Sequence, residues 1–228
     1  SKDSYLKAVT TDPVSYFGGI VGFNKTVDGE TAEELTKSFL ECIIAPCYSD
    51  EALEVFKKKK NLRIVVDVKN SEDQHFNLRS VAGGYLYQQS DYFEEIVRNS
   101  EVSTQKIPTD AEWKALDMGW KLVRFVKSNG IVFANSEQLL GVGAGQMSRV
   151  DSVKIAIRKA GEAGLNLDGA ILASDAFFPF PDSIEHAAKH GIKSIVQPGG
   201  SIKDKDVIEK ANELGISMVL TGKRHFYH

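Results

Sequence analysis

The second half of the chain alternates short apolar runs with amphipathic stretches, and this alternation restricts the fold more than any other feature. Strand-like runs at 170–173, 194–196 and 216–220 are separated by helical patterns at 182–190 and 203–214. Such a sequence predicts a layered α/β sheet with parallel strands. Just upstream, 131–134 and 138–142 read as two further strands and 151–163 as a helix. Thr109 and Glu112 form a capping box, and Trp113, Leu116, Trp120 and Val123 share one face of the helix that follows. In sheets of this kind ligands gather in the loops beyond the carboxyl ends of strands. Three such loops stand out here: 143–149, 174–182 and 197–202.

The first third is less regular. A glycine-rich strand is expected at 17–23, then a helix capped by Thr31 and Glu34 that runs to about Cys42. A second helix, 50–59, runs out in Lys57, Lys58, Lys59 and Lys60, which complement its dipole and face solvent. Residues 62–68 and 78–88 read as strands, with Gly83-Gly84 marking a bulge or a close backbone approach. The polar, irregular stretch 89–109 is the expected boundary, dividing the chain into lobes at 1–105 and 106–228. A length of 228 residues agrees with one to two domains of about 150 residues each.

Charge and composition exclude several classes of function. The net charge of -3 offers no electrostatic case for nucleic acid or anionic lipid, and no apolar run approaches the ~20 residues of a membrane span. Cys42 and Cys47 have the wrong spacing for a zinc pair and read as buried or incidental thiols of a reducing cytoplasm. The opening Ser1-Lys2-Asp3-Ser4 lacks both an initiator Met and a signal segment, and reads as a processed, tagged or truncated beginning.

Each loop admits two readings. Gly141-Val142-Gly143-Ala144-Gly145 has G-x-G-x-G spacing instead of the dinucleotide fingerprint. Its glycines either let backbone amides approach a ligand beside Arg149 or make a tight turn with a surface Arg. Ser174-Asp175-Ala176-Phe177-Phe178-Pro179-Phe180-Pro181-Asp182 cannot continue a strand or a helix. Its rings either plug the core or offer a stacking face, and Asp182 is expected as the N-cap of the next helix. Gln197-Pro198-Gly199-Gly200-Ser201 suits an anion or an ordinary cap. His186 and His190 share a helix face without the Glu of a metal motif, and read as solvated. The closing Arg224-His225-Phe226-Tyr227-His228 is either a frayed tail or a cationic segment at a phosphate.

Taken together these motifs resemble a known family. Residues 174–182, 197–202, Gly143–Val150 (GAGQMSRV) and the closing RHFYH are similar to the carboxyl-terminal region of phosphoribosylaminoimidazolecarboxamide (AICAR) formyltransferase. That enzyme is usually fused to an IMP cyclohydrolase domain. The motifs DPVSYFGG (12–19), ECIIAP (41–46) and KSN (127–129) agree, in the family's order and over essentially the whole chain. The resemblance implies two cytidine-deaminase-like α/β/α lobes, the amino-terminal one incomplete, and a homodimer with active sites at the subunit interface. It implies transfer of a formyl group from 10-formyltetrahydrofolate to the 5-amino group of the AICAR nucleotide, without a transition metal.

By the same resemblance Phe17, Gly18 and Glu41 line the nucleotide pocket, and Asn129 holds the carboxamide or the reacting amine. Arg149 and Phe177 contact the nucleotide, with Arg224 and His228 near its phosphate. Val150, Asp182, Ser201 and Ile202 are implied folate contacts, with Pro179 and Phe180 shaping the same pocket. One departure matters. The family's catalytic Lys-His pair lies in a Lys-His-x-x-Pro-Cys-Gly segment upstream of the region matched here. Lys189-His190 has no Pro-Cys-Gly after it and does not inherit the role.

Overall fold

In this computed structural model, which describes residues 1–67, 76–91 and 97–227, the chain divides into two units, Ser1–Tyr92 and Phe93–His228. The division falls inside the irregular 89–109 stretch but earlier than 105/106. The reason is a short strand at Glu101–Val102 that pairs into the second unit's sheet.

The first unit begins with α1 (Lys2–Thr11) and holds three parallel strands, β1 (Gly19–Gly22), β2 (Leu40–Ala45) and β3 (Arg63–Val66), in the order β1-β2-β3. The intervening helices are α2 (Gly29–Leu35) and α3 (Asp50–Phe56). Val27, Leu35, Leu40, Ile43 and Phe56 form its core. Several expectations are corrected here. The cap of α2 is Asp28, whose carboxylate accepts from the Thr31 N–H at 2.8 Å, so Thr31 lies buried inside the helix. An extended Asp three residues ahead of a free amide captures the helix start before Thr31 can. The helix then ends at Leu35, and Cys42 belongs to β2, between Ile20 and Arg63. The expected strand 78–88 is instead a hairpin, β4 (Phe76–Val81) and β5 (Gly84–Gln89), turning at Ala82-Gly83. Gly83 has φ +82 with open space around it, so it serves the turn and not a close approach. Val68, the last residue of the expected strand 62–68, lies outside the described residues.

The second unit is a mixed six-stranded sheet. Its strands are β6 (Glu101–Val102), β7 (Ile131–Ala134), β8 (Leu139–Gly143), β9 (Ile171–Ser174), β10 (Ser194–Gln197) and β11 (Ser217–Leu220), in the order β6-β11-β10-β9-β7-β8. Only β9, β10 and β11 pair in parallel; β6, β7 and β8 are antiparallel to the strands they pair with. Strands β7, β9 and β10 are buried along their whole length, which requires a layer on both faces.

Alternation supplies the two layers. Val132, Ala134, Ile171, Ala173 and Val196 meet α4 (Asp110–Val123) through Trp113, Leu116, Trp120 and Val123, the predicted face. Ile131, Phe133, Leu172, Ile195 and Met218 meet α5 (Arg149–Glu162), α6 (Asp182–Ala188) and α7 (Asp204–Glu213). The capping box of α4 is present: Thr109 N–H donates to Glu112 Oε2 at 2.7 Å, and Glu112 N–H donates to Thr109 Oγ1 at 3.3 Å. Burial pushes the Glu112 carboxyl up, but the Thr109 N–H and the Lys106 ammonium at 3.0 Å outweigh it and hold the group below its ordinary range.

Helix α5 approaches β8 unusually closely. A Cβ on Gly143 would lie 1.9 Å from the Ser152 carbonyl oxygen, and one on Gly141 would lie 2.5 Å from that of Ala156. Gly141 and Gly143 thus admit a helix backbone, which neither the ligand-approach reading nor the tight-turn reading of this segment foresaw. No helix among the described residues is long and apolar enough to cross a membrane.

Candidate functional site

Sheet direction brings three loops to one edge. Strand β7 runs antiparallel to β9 with Ile131 opposite Ser174, so the start of β7 lies at the carboxyl end of β9. Strand β8 runs antiparallel to β7 with Gly143 opposite Ile131, so its end returns to the same edge. Segments 128–130, 144–149 and 175–182 therefore converge, and the carboxyl-terminal segment joins them. Ser128 N–H donates to Tyr227 O at 2.9 Å, and His225 N–H donates to Asp175 O at 2.9 Å.

A cleft of about 580 Å³ opens there, within the usual range for small-molecule sites of ~300–1,000 Å³. Of the residues that resemblance assigned to a nucleotide, Asn129, Arg149, Phe177 and Arg224 line it. Of those assigned to folate, Val150, Pro179, Phe180 and Asp182 line it too. Met147 and Phe226, not singled out from sequence, complete the apolar part.

Behind this lining sits a buried ion pair. Arg149 Nη1 donates to Asp175 Oδ1 and to Ser174 Oγ, the latter at 2.9 Å, and Nη2 donates to Asn129 Oδ1 at 2.9 Å. Asn129 Nδ2 in turn donates to the carbonyls of Gln146 at 2.8 Å and Met147 at 3.3 Å. The Arg149 charge is thus compensated within the protein. Arg224, by contrast, rests its guanidinium 4.9 Å from the centre of the Phe177 ring.

The aromatic loop resolves its two readings by dividing them. Phe178 is fully buried and plugs the core, Phe177 is half-buried under Arg224, and Phe180 is 58% exposed. The tail is not frayed through Tyr227. His225 is buried, with its ring 4.2 Å from that of Trp120. His228 lies outside the described residues.

The expectation for Asp182 changes. Asp182 is the first helical residue of α6 and not its N-cap; Pro181 holds that position, and Asp182 Oδ1 accepts from the adjacent Ser183 N–H at 2.7 Å. The amides of Gly200 and Ser201 are not open to an anion, because Asp204 Oδ2 accepts from both, at 2.7 and 3.1 Å. Ser201 and Ile202 do not line the cleft, and Ile202 is 99% exposed. His190 Nδ1 lies 2.9 Å from the His186 carbonyl. Among the described residues no group of three His, Cys, Asp or Glu side chains is placed to hold a metal ion.

Phe17, Gly18 and Glu41 belong to the first unit. Phe17 is 70% exposed, with its ring 5.4 Å from that of Phe39, and Gly18 N–H donates to Phe39 O at 2.9 Å. Glu41 is ion-paired with Arg63 on the neighbouring strand. Asp175, the buried partner of Arg149, was missed as a site residue. The available signal was an ionisable side chain directly after a four-residue buried strand.

Fold and cleft together define a mixed α/β protein with a cleft of small-molecule size at the carboxyl edge of its parallel strands. Comparison with known proteins gives the family. A family model described as AICARFT/IMPCHase bienzyme matches residues 1–159, and the chain belongs to that family. It is 53% identical over 227 residues to the bifunctional purine biosynthesis protein PurH of Listeria monocytogenes serotype 4b (strain F2365). It is 51% identical over 228 residues to that of Aquifex aeolicus (strain VF5). Each match covers 100% of this chain and 44% of the relative, so the chain spans less than half the length of the curated relatives it matches.

Proposed function

We propose that this chain is the formyltransferase part of such a bifunctional protein, binding the AICAR nucleotide and 10-formyltetrahydrofolate for formyl transfer to the nucleotide's 5-amino group. The observation that carries this reading is the single cleft in which Asn129, Arg149, Phe177 and Arg224 meet Val150, Pro179, Phe180 and Asp182.

The chemistry of the lining fits the two ligands. A half-buried Phe177 offers a ring face to a flat heterocycle. The Arg224 guanidinium supplies positive charge for a phosphate. The Asp182 carboxylate can accept from the donor edge of a pterin. The 5-amino group is a weak nucleophile, because its lone pair is conjugated with the ring and the carboxamide. It must be oriented to attack the formyl carbon and must give up a proton, and the oxyanion so formed must be stabilised until it collapses, breaking the bond to N10 and releasing tetrahydrofolate. Asn129 and Arg149, held by hydrogen bonds within the protein, are suited to orientation. One face of the β4–β5 hairpin carries exposed Phe76, Leu78, Tyr85 and Tyr87, which supports association of two copies.

A second reading keeps the ligands and omits the chemistry, making the chain a non-catalytic folate- and nucleotide-binding module. It is favoured by the lining itself: the described cleft residues include no lysine or histidine to take the amine's proton. Calorimetric titration with each ligand and a steady-state assay with both separate the readings. The assay is run on the chain alone and again with the remaining part of a PurH relative added. Turnover in either arm supports the first reading. Binding of both ligands with no turnover in either arm supports the second, and binding of neither refutes both.

A further inference from the structure

We propose that Asp175 is a positioning residue for this cleft, acting through Arg149 and Ser128 to hold the Asn129 amide and the segment that carries Arg224. The proposal rests on the cleft being the nucleotide site described above. Asp175 is fully buried and does not line the cleft, so it would not touch a ligand there.

Its four polar groups reach three segments of the edge. Oδ1 accepts from Arg149 at the start of α5, and Oδ2 accepts from the Ser128 hydroxyl ahead of β7. The backbone carbonyl accepts from His225 N–H at 2.9 Å, next to Arg224, and the backbone N–H donates to Gly130 O at 3.2 Å. One residue therefore ties together all the segments that supply lining groups.

The chemistry of the chain of contacts fixes orientation as well as position. A guanidinium can only donate and a backbone carbonyl can only accept. Asn129, between Arg149 on one side and the Gln146 and Met147 carbonyls on the other, has its oxygen and nitrogen assigned by its partners. If the guanidinium turned away, Asn129 Oδ1 would lose its donor and the amide would be held through Nδ2 alone. Asp175 also compensates a buried charge. Without it Arg149 would remain cationic in a dry site and would turn toward water, leaving Asn129.

The test uses the 228-residue chain with the AICAR nucleotide and, separately, tetrahydrofolate as probes, in four forms: wild type, Asp175→Asn, Arg149→Met and the double variant. Asp175→Asn should weaken nucleotide binding on the order of tenfold, as coupled neighbours do, and leave tetrahydrofolate binding within about threefold. In the double variant the two losses should not multiply, because both act in part through the same guanidinium. Nucleotide affinity unchanged in Asp175→Asn, losses that multiply in the double variant, or equal losses for both ligands would each overturn the proposal.

Hydrogen exchange without ligand provides a second arm, with Ser128→Ala as the milder variant should Asp175→Asn fail to fold. Faster exchange confined to residues 128–130, 145–149 and 224–227 is expected in the variants. Unchanged protection there overturns the proposal. Should the wild type bind no nucleotide, the functional reading fails, and the exchange result alone decides whether Asp175 orders these segments.

Discussion

Replacing Gly143 with alanine should separate α5 from the sheet and disturb the cleft without touching any residue that lines it. The new methyl carbon would lie 1.9 Å from the Ser152 carbonyl oxygen and 2.5 Å from its carbon, both backbone atoms. Carbon atoms in this position do not approach closer than 3.0 Å, so strand and helix must part by at least about 1 Å. No rotamer change can absorb this, and the Ser152 Oγ to Asn129 O hydrogen bond of 2.7 Å would stretch with it. Overpacking against a fixed wall costs about 3 kcal/mol, which for a chain of this size lowers the melting temperature by roughly 6 to 12 °C. Tryptophan fluorescence is the appropriate assay, because Trp113 and Trp120 are the chain's two tryptophans and both belong to the second unit. Gly161→Ala on the same helix is the control: no atom stands within 4 Å of its new carbon, and alanine should stabilise the helix by up to about 1 kcal/mol. A Gly143→Ala variant that melts within 2 °C of wild type would refute the close-approach argument.

Two further predictions follow from neighbouring rings and from one buried acid. Phe178→Ala should cost roughly 3 to 5 kcal/mol by urea unfolding, whereas Phe177→Ala should cost far less and weaken nucleotide binding up to about tenfold; equal stability losses would contradict the division of roles. Glu112 is held below its ordinary carboxylate range, so its contribution is complete above the unfolded value of about 4.3 and is lost as pH falls through the lower folded value. The stability gap between wild type and Glu112→Gln should therefore be widest near neutral pH and close on acidification, and a gap that widened in acid would reverse the argument.

The second unit was largely legible because its signals are periodic. The Trp113, Leu116, Trp120 and Val123 face, the Thr109–Glu112 box and the strands from 131 to 220 all follow from spacing that burial then satisfies. The first unit was less legible where two local signals competed. Asp28 and Thr31 are both good caps, and only the extended backbone at Asp28 decides between them. Gly83-Gly84 fits a bulge or a turn equally well until pairing of Phe76 with Gln89 closes the hairpin. At the site, chain-local motifs singled out Arg149, Phe177 and Asp182, and the resemblance added Asn129; all four line the cleft. The motifs could not show that Asp204 consumes the amides of 200–201, or that Asp175 stands behind Arg149. Those relations depend on how distant segments meet.

The adjacent placement of Phe177 and Phe178 sets a rule for how this loop can change. One ring faces the cleft and the next fills the interior, so the two roles are separated by a single peptide unit. Exchange of one side chain alters one role and leaves the other intact. Insertion or deletion of one residue between Asp175 and Phe178 would displace both rings, sending the plug outward and the cleft-facing ring into a space already shaped for another. The loop is thus open to drift in composition and closed to drift in length.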